Sequence, residues 1–70
     1  MLLVHLKKVI DSDSRVIIRK TRLREPDFGK REILFDGSAV AIPVRLDYDS
    51  IEKMRPTGNG IAALVIDLEV

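Results

Sequence analysis

The 70-residue chain has no cysteine. That absence removes disulfide staples, thiolate metal sites and cysteine nucleophiles together, and fits a reducing compartment. Tryptophan is also missing, and the aromatic side chains are Phe28, Phe35 and Tyr48. These are too few for a sheet that stacks several bases on aromatics, so the commonest RNA-recognition sheet is disfavoured. His5 is the sole histidine. It lacks the partners a metal set requires, and its apolar neighbours favour a structural role. No apolar run exceeds residues 61–66, far short of the roughly 20 residues that span a bilayer. In the first ten residues the apolar patch precedes Lys7 and Lys8. A secretory leader has the reverse order, so a cytoplasmic chain without a membrane association is expected. At this length there is room for one domain with a small core, and its stability is marginal.

Charge is abundant but unevenly placed. The formal net charge is +1, yet Arg15, Arg19, Lys20, Arg22, Arg24, Lys30 and Arg31 face only Glu25 and Asp27 within residues 15–31, and the rest of the chain is correspondingly acidic. Such a window is either a solvated amphipathic face or a surface for phosphates. Phe28 lies inside it, among polar residues. It either anchors the loop by packing or offers a stacking platform beside phosphate contacts.

Alternation of Leu2, Val4 and Leu6 with Leu3, His5 and Lys7 predicts a first strand. Asp11, Ser12, Asp13 and Ser14 are suited to cap a helix over residues 15–23. Val16, Ile17 and Ile18 are β-branched and resist that helix, whereas Val16, Lys20 and Leu23 fit its face. Pro26 should end it near Arg24 and leave a loop over residues 25–30. Asp36-Gly37 predicts a two-residue hairpin turn between residues 31–35 and 38–44, because such a turn needs positive φ at both central positions. Phe35 should then be core, and Pro43 should sit at an edge or strand end. Asp49 with Glu52 resembles a capping box that opens a second helix with Ile51 and Met54 inward. Gly58-Asn59-Gly60 reads as a connecting loop. The last strand would place Leu64, Ile66, Leu68 and Val70 inward and an acidic face with Asp67 and Glu69 outward, leaving this strand as a possible sheet edge. The predicted fold is α+β, a small two-layer β-α-β-β-α-β (ferredoxin-like) sandwich with an antiparallel sheet and two helices on one face.

Catalytic constellations are missing from this pattern. No glycine loop precedes a helix, so no nucleotide phosphate cradle is expected. The pairs Asp11/Asp13 and Asp47/Asp49 precede predicted helices and read as caps before they read as cation ligands. Ser38 belongs to the expected hairpin and lacks the elbow geometry of a nucleophile.

The run Ser14-Arg15-Val16-Ile17-Ile18-Arg19-Lys20-Thr21-Arg22-Leu23, followed by a polar loop and by Lys30 to Val44 with its Ile42-Pro43-Val44 triplet, resembles the N-terminal domain of a tRNA-modifying family. The family comprises the class I tRNA position-37 guanine N1-methyltransferase and the wybutosine-synthesising aminocarboxypropyl transferase. The resemblance covers residues 14–55. It implies a non-catalytic accessory domain of a larger cytoplasmic enzyme, one that meets the outer corner of tRNA. Binding of S-adenosylmethionine and the chemistry would belong to a separate catalytic domain of the same parent. No cofactor, metal or catalytic residue is implied in this chain, and an isolated domain is expected to be monomeric. On charge and position, the tRNA-contact candidates are Arg15, Arg19, Lys20, Arg22, Arg24, Phe28, Lys30 and Arg31. The competing reading is a small ferredoxin-like interaction or regulatory module that associates with itself or another protein. A small-molecule binder ranks last, because so thin a fold rarely encloses a large pocket.

Overall fold

A computed structural model describes residues 1–23, 25, 26, 28–57 and 63–69. Helix α1 (Leu3–Lys7) is followed by strands β1 (Arg15–Thr21) and β2 (Arg31–Ser38). Two 3-10 turns (Ala39–Ala41 and Val44–Leu46) then lead to β3 (Ile51–Pro56) and β4 (Ala63–Leu68). The strands form one sheet in the order β2-β1-β4-β3. β1 is antiparallel to β2 and parallel to β4, and β3 is antiparallel to β4. The class is therefore α+β with a mixed sheet. The order differs from β-α-β-β-α-β, and two helices on one face are not seen among the described residues.

The largest correction concerns residues 15–23, expected to be helical. β1 is an interior strand, and Val16 and Ile18 on one face are fully buried while Ile17 on the other is half-buried. A strand that buries apolar groups on both faces shows no period of two, and consecutive β-branched residues suit it well. The Asp11–Ser14 cluster forms a turn instead of a cap: the Ser14 amide donates to the Asp11 carbonyl at 3.0 Å. The Ser14 and Ser12 carbonyls accept from Ala39 and Val40 at 2.8 and 3.1 Å, tying this turn to the first 3-10 turn.

The first ten residues are corrected in the other direction. Leu3 and Leu6, spaced for a helix face, are both buried, and His5 is exposed on α1, so it has no place in the core. This helix lacks a side-chain cap. Its first amides instead donate to the carbonyls of Asp49 and Asp47, from Leu3 at 3.0 Å and from Val4 at 2.8 Å. Lys7 Nζ reaches Asp47 Oδ1 at 2.7 Å. The Asp47/Asp49 segment thus serves a helix distant in sequence rather than starting one of its own. The expected second helix is strand β3, whose start is held by the Ile51 amide donating to the Met1 carbonyl at 2.8 Å.

Asp36-Gly37 does not turn the chain. Both residues lie within β2, opposite Ile17 and Val16. A Cβ on Gly37 would come within 3.1 Å of Phe35 Cζ, so this glycine makes room for an aromatic ring on its own face of the sheet. The reversal between β1 and β2 falls in residues 22–30, where Arg22 N–H donates to Lys30 O at 2.7 Å and Gly29 adopts φ 86°. Residues 39–46, expected to continue a strand, coil into the 3-10 turns and bring Ala39, Ile42 and Leu46 onto the sheet, with Pro43 between them.

The core consists of Leu3, Leu6, Val16, Ile18, Ala39, Ile42, Leu46, Ile66 and Leu68, with Ile10, Leu34, Phe35, Ile51 and Leu64 packed against it. Among the described residues this core and the elements that carry it pack on one side of the sheet, although Ala63, Val65 and Asp67 on the other face are buried too. The Cα extents are 36 × 29 × 17 Å. Packed layers sit about 10 Å apart, so the thin dimension accommodates the sheet and a single cover. The expected last strand is present as β4, but it lies between β1 and β3 and is no edge. Of its expected acidic exposed face, Glu69 is exposed, but Asp67 is corrected, being only 5% exposed. Val70 and the loop Gly58-Asn59-Gly60 lie outside the described residues.

Candidate functional site

Pairing register assigns side chains to the second face of the sheet, the open face opposite the core, because partners across a ladder share a face; Ala63, Val65 and Asp67 on it are nonetheless buried. One row across the strands is Asp36, Ile17, Val65 and Arg55. The next is Ile33, Arg19, Asp67 and Lys53. Ser38, Arg15 and Ala63 line one end, and Arg31 with Thr21 lines the other. Five cations (Arg15, Arg19, Arg31, Lys53 and Arg55) therefore share this face with two carboxylates, Asp36 and Asp67, around a small apolar centre.

Asp67 organises the middle. Arg19 grips it with Nε to Oδ1 at 2.8 Å and Nη2 to Oδ2 at 3.1 Å, and Arg31 donates through Nη1 to the same Oδ2. Burial raises the Asp67 pKa. The two guanidinium groups outweigh it through hydrogen bonds and charge, so the carboxyl is held below the usual range. The two arginines keep solvent contact, with side chains 21% and 38% exposed. Two guanidiniums around one carboxylate leave a positive surplus at the water boundary. Near the sheet end, Arg15 makes a two-pronged contact with Asp36, Nε to Oδ1 and Nη2 to Oδ2, both at 3.1 Å. The hydrogen bond and the charge of Arg15 lower the Asp36 pKa, and Asp36 raises that of Arg15.

The sequence candidates separate on this geometry. Arg15, Arg19 and Arg31 come together on the open face. Lys20 lies on the covered face, in register with Glu32 and Leu68. Arg22 Nε lies 3.5 Å from Glu32 Oε2, and Lys30 closes the hairpin loop. Phe28, in that loop, is 62% exposed. Arg24 lies outside the described residues. Lys53 and Arg55 escaped the sequence reading. They sit outside the basic window, in a segment expected to be helical, and the alternation of Lys53 with Arg55 was the available signal of a cationic strand face.

Among the described residues no other constellation competes. The turn of Asp11, Ser12, Asp13 and Ser14 borders a shallow depression beside Arg15. Among the described residues no three His, Cys, Asp or Glu side chains gather as a metal set, and no helix is long and apolar enough to cross a membrane. No family model matches the chain, and neither curated proteins nor solved structures yield a match.

Proposed function

We propose that this chain is a non-catalytic RNA-contacting domain that lays the phosphates of tRNA across the open face of its sheet. What supports the reading is the placement of Arg15, Arg19, Arg31, Lys53 and Arg55 on one face of the sheet against Asp36 and Asp67. Phosphate contacts from such a face position a nucleic acid without reading its sequence. Exposed Phe28 at the end of the same hairpin supplies a surface on which an unpaired base can stack. tRNA is the proposed ligand because of the likeness of residues 14–55 to the accessory domain of the guanine-37 modifying enzymes. On that reading the domain serves a cytoplasmic parent whose catalytic part binds S-adenosylmethionine.

The test is binding of a labelled tRNA transcript by anisotropy at several salt concentrations. Each phosphate contact contributes about 0.7 to 0.9 to the slope of log affinity against log salt. The double variant Lys53→Glu/Arg55→Glu, on exposed positions of β3, should lower that slope by about 2 and weaken binding at least tenfold. Binding that is insensitive to salt, or equal in the variant, would refute the reading.

A further inference from the structure

We propose that Leu23 and Phe28, on either side of the loop between β1 and β2, form an apolar clip that holds one unpaired base next to a paired stretch of RNA; this rests on reading the open face as an RNA contact. The closure of the loop places the two residues. The Arg22 amide donates to the Lys30 carbonyl at 2.7 Å, and the Gly29 amide donates to the Arg22 carbonyl at 2.8 Å. Gly29 and Lys30 thus both oppose Arg22, and the φ of 86° at Gly29 is what the first residue of such a bulge adopts. The bond from Gly29 joins the peptide unit that follows Phe28 to the one that precedes Leu23. Leu23 and Phe28 are therefore the next facing pair, with Cα atoms about 5 Å apart. They stand just beyond the last ladder row, Thr21 with Arg31, where the cationic face ends. At that spacing apolar side chains ordinarily cover one another, yet Leu23 is 57% and Phe28 62% exposed.

The surroundings select the occupant. Residues 20–32 carry five basic side chains (Lys20, Arg22, Arg24, Lys30 and Arg31) against Glu25, Asp27 and Glu32, a surplus of two positive charges. An apolar pair in a positive region suits a ligand with flat apolar faces and an anionic margin, which is the form of a nucleobase on its phosphate. Extruded bases are held by stacking between aromatic and apolar side chains. A lipid surface would meet the exposed Glu25 carboxylate before either apolar side chain, because Glu25 lies between them in the loop. The choice of an unpaired base beside a paired stretch follows from where the aromatics lie. A base within a duplex has both faces stacked on its neighbours, so the clip takes one that is out of the stack. Phe35 lies on the covered face, opposite Ile18. Among the described residues the open face of the sheet therefore has no aromatic and offers bases nothing to stack on. It receives backbone phosphates, the mode by which paired RNA is bound.

Anisotropy with two labelled, blunt-ended RNA duplexes, identical except that one carries a single unpaired adenine at its centre, tests the clip. The RNA with the unpaired base should bind at least about fivefold more tightly, the lower end of what one base–aromatic stack contributes. Phe28→Ala and Leu23→Ala should each remove most of that preference, while affinity for the fully paired RNA and the salt slope stay unchanged. Phe28→Tyr should keep the preference. Both positions are exposed in a loop, and an unchanged circular dichroism spectrum confirms that the variants fold. Salt-dependent binding with equal affinity for the two RNAs would overturn the clip and leave the phosphate contact standing. A Phe28→Ala variant that weakens both RNAs alike would overturn it as well. Binding of either RNA that is insensitive to salt would overturn the phosphate reading and the clip with it.

Discussion

Replacing Asp67 with asparagine separates the two roles of the central cluster, because the change should lower stability and raise affinity for RNA. Asparagine keeps the shape, but it removes the charge and points an amide donor at guanidinium donors. Hydrogen bonds to charged groups contribute roughly 1.5–3 kcal/mol each, and Asp67 accepts three from Arg19 and Arg31. Both arginines touch water and can be rehydrated, so the expected loss is reduced to about 2 kcal/mol in total. A 70-residue domain has only about 4–10 kcal/mol to lose. The substitution should therefore lower Tm by about 8–16 °C. Urea melts at neutral pH measure it, and a change below about 0.5 kcal/mol, within the usual range for surface substitutions, would show that the cluster does not hold the sheet.

The acid limb provides a second reading of the same variant. Asp67 is held below its unfolded pKa, so its contribution is complete above about pH 4 and is lost as pH falls through the lower folded value. The wild-type chain should lose stability on acidification, and Asp67→Asn should lose less. An equal acid slope in both proteins would remove Asp67 from the account. In the RNA assay, Asp67→Asn frees two guanidiniums and should tighten binding several-fold at low salt; weaker binding by folded protein would count against the open face as the contact surface.

Two further outcomes test the fold and a third the RNA contact. Leu3→Ala, at a fully buried position under the sheet, should cost about 2–4 kcal/mol in a denaturant melt, whereas a strand-forming, exposed first segment would tolerate it. Gly37→Ala should gain about 0.5–1 kcal/mol in a Phe35→Leu background, the usual cost of glycine inside a strand. The gain should largely vanish beside Phe35, whose ring the new Cβ meets at 3.1 Å; equal gains in both backgrounds would show that the ring does not occupy that space. Reversing Arg22 and Lys30 together should weaken tRNA binding if the hairpin loop joins the contact, as read by the same anisotropy assay.

Some features were determined by the sequence alone. The missing cysteines, the single histidine and the short apolar runs are facts of composition, and they limit chemistry before any folding. Residues 25–30 read as a loop because Pro26 and Gly29 act through local backbone geometry. Ile66 and Leu68 read as buried strand residues because their alternation is local. The basic window is equally plain in the sequence. Tertiary structure decided what local rules left degenerate. Val16, Ile17 and Ile18 fit either state until β4 pairs alongside them, since a strand buried on both sides shows no alternation. Leu3 and Leu6 suit helix spacing, but α1 has no cap of its own and depends on carbonyls from Asp47 and Asp49, more than forty positions away. Asp36-Gly37 has the chemistry of a turn, yet β1 offers a longer ladder and the Phe35 ring lies against the glycine. Asp67 alternates like an exposed residue, and it is buried because two arginines distant in sequence close over it. The gathering of Arg15, Arg19 and Arg31 with Lys53 and Arg55 required strand register, which depends on pairing between segments far apart in the chain and so is not written in any one of them.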